Sequence, residues 1–265
     1  MKAVQIMKHS YLLLIIGMAM LFAIGCGQRN DTEQISESTE WFSREEQNWL
    51  ENLSGQQDVL NDFSEDEKNL QLLLEKGDIE LNQVTGDNLI VVLASDTGIE
   101  MNCFNKNDGH QWILDEELRH IPAFVGYNGV GDKQIEGDGI TPLGLWDTDY
   151  AFGFYNNPGT HIVYQQITEN SYWVDDPNSS VYNRWVEGTD NRDWASAEHL
   201  IEFPAYHYAL VIKYNYDIPI QSAGSAIFLH CGETATAGCI AISEEEMIKL
   251  LQWVQPGTQI LIARN

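Results

Sequence analysis

The chain has 265 residues, of which 43% are hydrophobic and 11% aromatic; that is enough for one well-buried domain with additions, and too apolar for a wholly disordered polymer. Its 40 acidic residues against 14 basic ones leave a net charge of −26, which disfavours nucleic acid and anionic membrane surfaces as partners, because such a surface repels phosphates. Any attachment to a membrane has to come from something other than a basic patch.

The N-terminus offers such an attachment. Lys2 and Lys8 precede residues 11–25, a stretch without charge, shorter than the ~20 residues of a spanning helix and of the length of a signal h-region. Ala23-Ile24-Gly25 before Cys26 resembles a bacterial lipobox, in which Cys26 is the lipidated residue. An ordinary secretory signal and an uncleaved anchor are the alternatives. All three put the rest of the chain outside the cytoplasm, and lipidation makes it a membrane-anchored protein. Beyond Cys26 stand Cys103, Cys231 and Cys239, an odd number for an oxidising compartment, so at least one is a free thiol or pairs between molecules.

The expected organisation is a leader over 1–25, an acidic tether with short helices over 26–85, and a main domain over 86–265. Residues 27–85 hold 15 acids against four bases. Within them Ser43-x-x-Glu46 and Ser64-x-x-Glu67 have capping-box spacing, and the second precedes Leu70, Leu72, Leu73 and Leu74 with a stop at Gly77. This segment is either a spacer lifting the main domain off the membrane or a helical appendage packed on it. From Gly86 the pattern turns to short apolar runs at 89–94, 112–114, 208–214, 225–230 and 258–263, bounded by Gly, Asp, Asn and Pro, which reads as strands joined by long loops. One helix is expected in the main domain: Ser243-Glu-Glu-Glu246 caps it, Met247, Leu250, Leu251 and Val254 recur on one face, and Pro256-Gly257 ends it. Residues 146–216 carry four tryptophans; aromatic platforms suit sugar rings and peptide stems, but most such residues in a β domain are core.

The chemistry concentrates near the C-terminus. An apolar run ends in His230, a loop with Gly and Thr follows, and Gly238-Cys239 leads into another apolar run. Acyl transfer through a cysteine needs those three parts: Cys239 as nucleophile, His230 as general base, and backbone N–H groups around Gly238 for an oxyanion. The bland alternatives are a buried cysteine and a structural histidine. A zinc site on His230, Cys231 and Cys239 lacks a fourth ligand and any paired-ligand spacing, so no metal and no cofactor is expected. A Cys231–Cys239 disulfide, which would silence the nucleophile, and a Cys103–Cys231 disulfide both remain open.

His230 followed by Thr236-Ala-Gly-Cys239-Ile-Ala-Ile resembles the signature of the L,D-transpeptidase (YkuD-like) catalytic domain, in the subgroup with a Thr-Ala-Gly-Cys core. Upstream, Val125-Gly-Tyr-Asn-Gly129, Glu136-Gly-Asp-Gly139, Thr141-Pro-Leu-Gly144, Tyr182-Asn-Arg184, Ser196-Ala-Glu-His199-Leu and Tyr214-Asn215 extend the likeness. The resemblance implies a mostly-β sandwich with one C-terminal helix, here with a short helical N-terminal appendage. It implies attack by Cys239 on the bond between the third residue and terminal D-Ala of a peptidoglycan tetrapeptide stem. The thioester then passes to a side-chain amine, giving a 3→3 cross-link, or to water, giving an L,D-carboxypeptidase. A non-catalytic wall-binding lipoprotein is the reading from another class.

Many members carry Arg where this chain has Ala241, so a cation for the stem carboxylate is sought in Arg184 or Arg192, with surface ion pairing as the alternative. His199 is a candidate to line the groove. Glu136 and Asp138 flank glycines and read as turn residues, with a cation site as the alternative.

Overall fold

The computed structural model describes residues 65–264 except 109 and 191; the expected leader, Cys26, the Ser43 capping box and Ser64, the cap of the second box, lie outside them. Helix α1 (Glu65–Lys76) comes first. It is followed by the hairpin strands β1 (Asn88–Ser95) and β2 (Gly98–Lys106), then by β3 (Trp112–Leu114), β4 (Ile121–Pro122), β5 (Val130–Gly131) and β6 (Thr141–Pro142). The long β7 (Gly144–Gly153) and its neighbour β8 (Tyr164–Gln166) precede β9 (Ser171–Val174), β10 (Arg184–Glu187) and β11 (Ala197–His199). The chain closes with β12 (Ala209–Ile212), β13 (Phe228–Cys231), β14 (Ile240–Ile242), helix α2 (Glu244–Trp253) and β15 (Gln259–Arg264). Among the described residues the protein is thus mostly β with two α-helices, as expected.

The main sheet runs β14-β13-β12-β7-β15-β1-β2-β3, with β4 attached to β2 and β8 to β7; β10-β9-β11 form a separate small sheet. Side chains alternate across a strand, so the register decides what each face carries. Ile90, Cys103 and Ile260 share one face with Leu210, Leu229 and Ile240, and this face packs on Met247, Leu250 and Leu251 of α2. Opposite lie Leu89, Val91, Phe104 and Leu261 under Leu70 and Leu74 of α1, and farther along Phe152, Ala209, Val211, Phe228 and Cys239 under Trp173 and Tyr206. Cover on both faces explains why β1, β12 and β15 read as unbroken apolar runs rather than as alternation. The apolar transfer involved, ~25 cal/mol per Å² of buried surface, makes these three clusters the main stabilising element.

Helix α1 is packed on the domain rather than held off it. Beyond its two leucines, the Asp66 and Glu67 carboxylates accept hydrogen bonds from the backbone N–H groups of Leu114 and Trp112 at 3.2 Å each, on the edge strand β3. An edge strand with open N–H groups is a template for unwanted pairing, and here two acids of a helix occupy them. The helix stops at Gly77, as its sequence suggests, but for another reason. Asp78 takes the left-handed turn conformation, with φ 56°, which Asp tolerates better than most residues. Gly77 lies against the sheet, where a Cβ would stand 2.9 Å from Leu261 Cδ1 and that side chain would have to shift. Helix α2 follows its sequence cue: the Ser243 hydroxyl accepts from the Glu246 N–H at 3.3 Å, satisfying an orphan donor of the first turn.

Candidate active site

Strand β13 delivers Phe228 and His230 to one face of the sheet. The parallel β14 is in register with it, Leu229 beside Ile240 and His230 beside Ala241, so Cys239, one residue before β14, stands next to Phe228 on that same face. Cys239 and His230 are therefore diagonal neighbours. Both are almost fully buried and both line one cavity of about 450 Å³. By the same alternation Cys231 points to the opposite face, into the α2 cluster that also holds Cys103. A Cys231–Cys239 bridge is excluded by this geometry, and the three cysteines among the described residues are free thiols.

The loop between β13 and β14 is clamped from outside. Thr236 N–H donates to Val125 O, Tyr127 N–H to Thr236 O, and Phe124 and Ala241 exchange both backbone hydrogen bonds at 2.8 and 2.9 Å. The Thr141 hydroxyl, fully buried, accepts from Gly126 N–H at 2.9 Å and donates to Gly238 O at 2.8 Å. The motif segments 125–129 and 141–144 are thus the brace of the cysteine loop. Gly238 has φ 150°, and a Cβ on it would stand 3.1 Å from Ile140 O, so only glycine fits this bend before Cys239. Its N–H donates to Thr236 Oγ1 at 3.1 Å; the Cys239 N–H has no partner among the described residues.

In this resting structure the thiol donates to Ala226 O at 3.1 Å and accepts from Phe228 N–H at 3.4 Å. Burial, then the nearby Glu198 charge, pushes the Cys239 thiol up to about 12. Burial also lowers the basicity of His230. The pair therefore rests as neutral thiol and neutral imidazole. His230 Nδ1 lies 2.9 Å from Cys231 O; a carbonyl only accepts, so Nδ1 carries the proton and Nε2 keeps its lone pair. The Tyr206 ring meets the imidazole edge-on at 5.6 Å and its hydroxyl donates to Glu198 at 2.6 Å.

Burial raises the Glu198 carboxyl to about 7, and the charges of Asp175 and Glu136 add to this against the Tyr206 hydrogen bond. The cation on the cavity wall is Lys133, whose side chain is 2% exposed and whose ammonium sits 2.6 Å from Asp138. Burial acts to raise the Asp138 carboxyl, but Lys133 and the N–H groups of Ile140, Gln134 and Ile135 outweigh it and hold Asp138 below the usual range. Asp138 is thus the turn residue its glycine flanks suggested, while Glu136 reaches the cavity and accepts from the Tyr182 hydroxyl.

The other sequence candidates lie elsewhere. Arg184 stacks over Tyr216 at 4.5 Å and donates to the Asn183 and Asp217 carbonyls. Arg192 stacks over Trp194 at 5.2 Å. His199 stacks on Tyr172 and bonds Glu202 and the Glu169 carbonyl. None of the three lines the Cys239 cavity.

Their motifs do reach the site, through the residues next to them. On β11 alternation turns Glu198 inward and His199 outward, a period-two signal present in the sequence. In Tyr182-Asn-Arg184 the working residue is Asn183, whose buried amide oxygen accepts from Trp173 Nε1 and from Ala226 N–H. That second bond holds Ala226 at φ 54°, an uncommon conformation for a residue with a Cβ, and so fixes the carbonyl on which the Cys239 thiol rests.

No curated protein matches the chain. Among solved structures, L,D-transpeptidase 1 of Mycobacterium tuberculosis aligns over 67% of this chain and 63% of its own at 13% identity, with a TM-score of 0.30; the present chain spans less than two thirds of that protein. A sequence model of the L,D-transpeptidase catalytic domain, YkuD, matches residues 103–262, more than half of the chain. The matched stretch holds the bracing motifs, the β13–β14 pair and the cysteine loop between them, and on it this chain belongs to the YkuD family of L,D-transpeptidase catalytic domains.

Proposed function

We propose that the protein is a peptidoglycan L,D-transpeptidase working through a thioester on Cys239. The observation that carries this reading is the pair of Cys239 and His230 on one face of a parallel strand pair, both opening into the same cavity. The Cys239 sulfur attacks the carbonyl of the third stem residue as its proton passes to His230 Nε2. The bond to D-Ala breaks, and the departing amine takes that proton. An acceptor amine then attacks the thioester, gives its proton to His230, and the thiolate leaves and is reprotonated. The Cys239 N–H is the free donor for the oxyanion of both steps. Gly238 serves by the backbone bend that frees this donor, since its own N–H is held by Thr236. Because both groups rest neutral, thiol activation accompanies substrate binding, with the sulfur leaving the Ala226 carbonyl for the imidazole.

Full-length protein, solubilised in mild detergent and incubated with a disaccharide-tetrapeptide, is expected to release D-Ala and form a dimeric muropeptide detectable by mass spectrometry. Cys239→Ala abolishes both. D-Ala without dimer would make the protein an L,D-carboxypeptidase on the same thioester; no reaction and no adduct on Cys239 would leave the wall-binding reading. The leader motif supports an extracytoplasmic location with a lipid on Cys26.

A further inference from the structure

The oxyanion site at Cys239 has a single free backbone donor, the Cys239 N–H, because the Gly238 N–H is held by Thr236. A tetrahedral intermediate on Cys239 would form in a cavity also lined by three acids, Glu136, Asp175 and Glu198. New negative charge in that setting calls for a second donor, best a charged one. Among the residues lining the cavity the permanent cation is Lys133.

The surrounding structure places this lysine closely. A Cβ on Gly224, where φ is 108°, would stand 2.3 Å from Lys133 Cε, so a side chain at 224 would displace it. Lys133 Nζ lies 3.6 Å from the point that a Gly238 Cβ would occupy, one residue before the nucleophile. The Tyr214 hydroxyl donates to the Lys133 carbonyl at 3.1 Å. Asp138 Oδ1 accepts from the ammonium at 2.6 Å, and the same carboxylate accepts from the N–H groups of Gln134, Ile135 and Ile140. Four donors fill a carboxylate, so Asp138 is itself held rigidly and fixes the ammonium from one side. An ammonium has three donors, yet Asp138 is its hydrogen-bond partner among the described residues, and the side chain is only 2% exposed. Two nearly buried donors are left for an acceptor brought from outside the fold. The charge also reaches the sulfur: burial and then Glu198 raise the Cys239 thiol, while the Phe228 N–H and Lys133 pull it down.

We propose that Lys133 is a further catalytic residue, whose ammonium joins the Cys239 N–H in donating to the oxyanion formed when the sulfur attacks an acyl carbon. The S–C bond forms as the carbonyl π pair moves onto oxygen, the thiol proton passes to His230 Nε2, and Lys133 keeps its protons throughout. On collapse the pair returns to carbon, the leaving group departs, and the ammonium stays with Asp138. The inference deepens the thioester reading and rests on it. A Lys133–Asp138 pair that only braces the turn around Asp138 would behave differently in the following test.

Two small reagents separate the roles on one thiol. p-Nitrophenyl acetate acylates a cysteine through an oxyanion, whereas iodoacetamide alkylates it by displacement at a saturated carbon, with none. Both rates are measured on the full-length protein in mild detergent, wild type and Lys133→Met, with the modification located on Cys239 by mass spectrometry and Cys239→Ala as background. Lys133→Met is expected to slow acylation about 10²-fold, as for loss of one oxyanion donor, and alkylation by less than about threefold. An equal fall in both rates, unchanged acylation, or a wild-type Cys239 that the ester does not acylate overturns the assignment. If melting shows Lys133→Met to be unfolded, Lys133→Met/Asp138→Asn, which leaves no unpaired carboxylate, takes its place and the same ratio decides. With the disaccharide-tetrapeptide, single-turnover thioester formation in the variant should slow at saturation while the half-saturating concentration holds. A raised half-saturating concentration at the wild-type maximal rate would make Lys133 a ligand of the bound substrate and overturn its role at the oxyanion. Failure of the transpeptidase reading shows separately, as no thioester from the stem peptide on wild-type Cys239, and the ratio of the two small reagents still decides what Lys133 does.

Discussion

Cys239 is held as a thiol by its surroundings, since burial and Glu198 both oppose a thiolate and its proton is parked on a carbonyl. Its alkylation by iodoacetamide in the substrate-free protein should therefore be slow at pH 7. The rate should climb about tenfold per pH unit to pH 9, as the small thiolate fraction grows. A plateau already at pH 7 would instead mean a preformed thiolate–imidazolium pair. Glu198 has the reverse consequence for stability. Its carboxyl binds a proton more tightly folded than unfolded, so the folded state gains below the unfolded value. That gain disappears as pH rises from the ordinary 4.5 through about 7, and above that window the folded state holds a buried charge. Glu198→Gln keeps a partner for Tyr206 without the charge. It should raise the melting temperature at pH 8.5 and change it little at pH 5; an equal shift at both would sink this assignment of the cause.

The elements make a related point about helix α1. It supplies Leu70 and Leu74, both essentially unexposed, to one face of the sheet, and two carboxylates to the N–H groups of edge strand β3. Leu74→Ala should destabilise the protein by about 2–5 kcal/mol in urea unfolding. A loss below ~0.5 kcal/mol would mean that the helix is only a spacer. One strand boundary departs from the sequence pattern. The run at 225–230 looks like one strand, yet β13 starts at Phe228, because Gly224 and Ala226 have φ of 108° and 54° and break the extended chain. Ala226 carries no local signal for this conformation; the hydrogen bond its N–H donates to Asn183 Oδ1, 43 residues away, imposes it. Helix α2, by contrast, was legible in full, since its cap, apolar face and Pro-Gly stop are all local chemistry.

At the scale of the whole molecule, the proposed anchor can be checked directly. In cells, the wild type should sediment with membranes and carry a lipid mass on a Cys26 N-terminal peptide. Cys26→Ala should lose the lipid; a wild type that is never lipidated would return the leader to an ordinary signal or an uncleaved anchor. Fold class, the position of α2, and the Cys239–His230 candidacy could all be drawn from order and spacing, because strand alternation, helix periodicity and a Gly-Cys loop are properties of neighbouring residues. The cation was not. Arg184 and Arg192 are close in sequence to motif residues but stack on Tyr216 and Trp194, while Lys133, from a loop about a hundred residues before Cys239, reaches the cavity. The acid wall was equally hidden, since Glu136, Asp175 and Glu198 come from three separate segments. Local chemistry settles which residues are able to react and which stretches are able to be strands. Which of them meet depends on the fold, because strand register and the parallel pairing of β13 with β14 are set by burial across the whole sheet, and that is long-range in the chain.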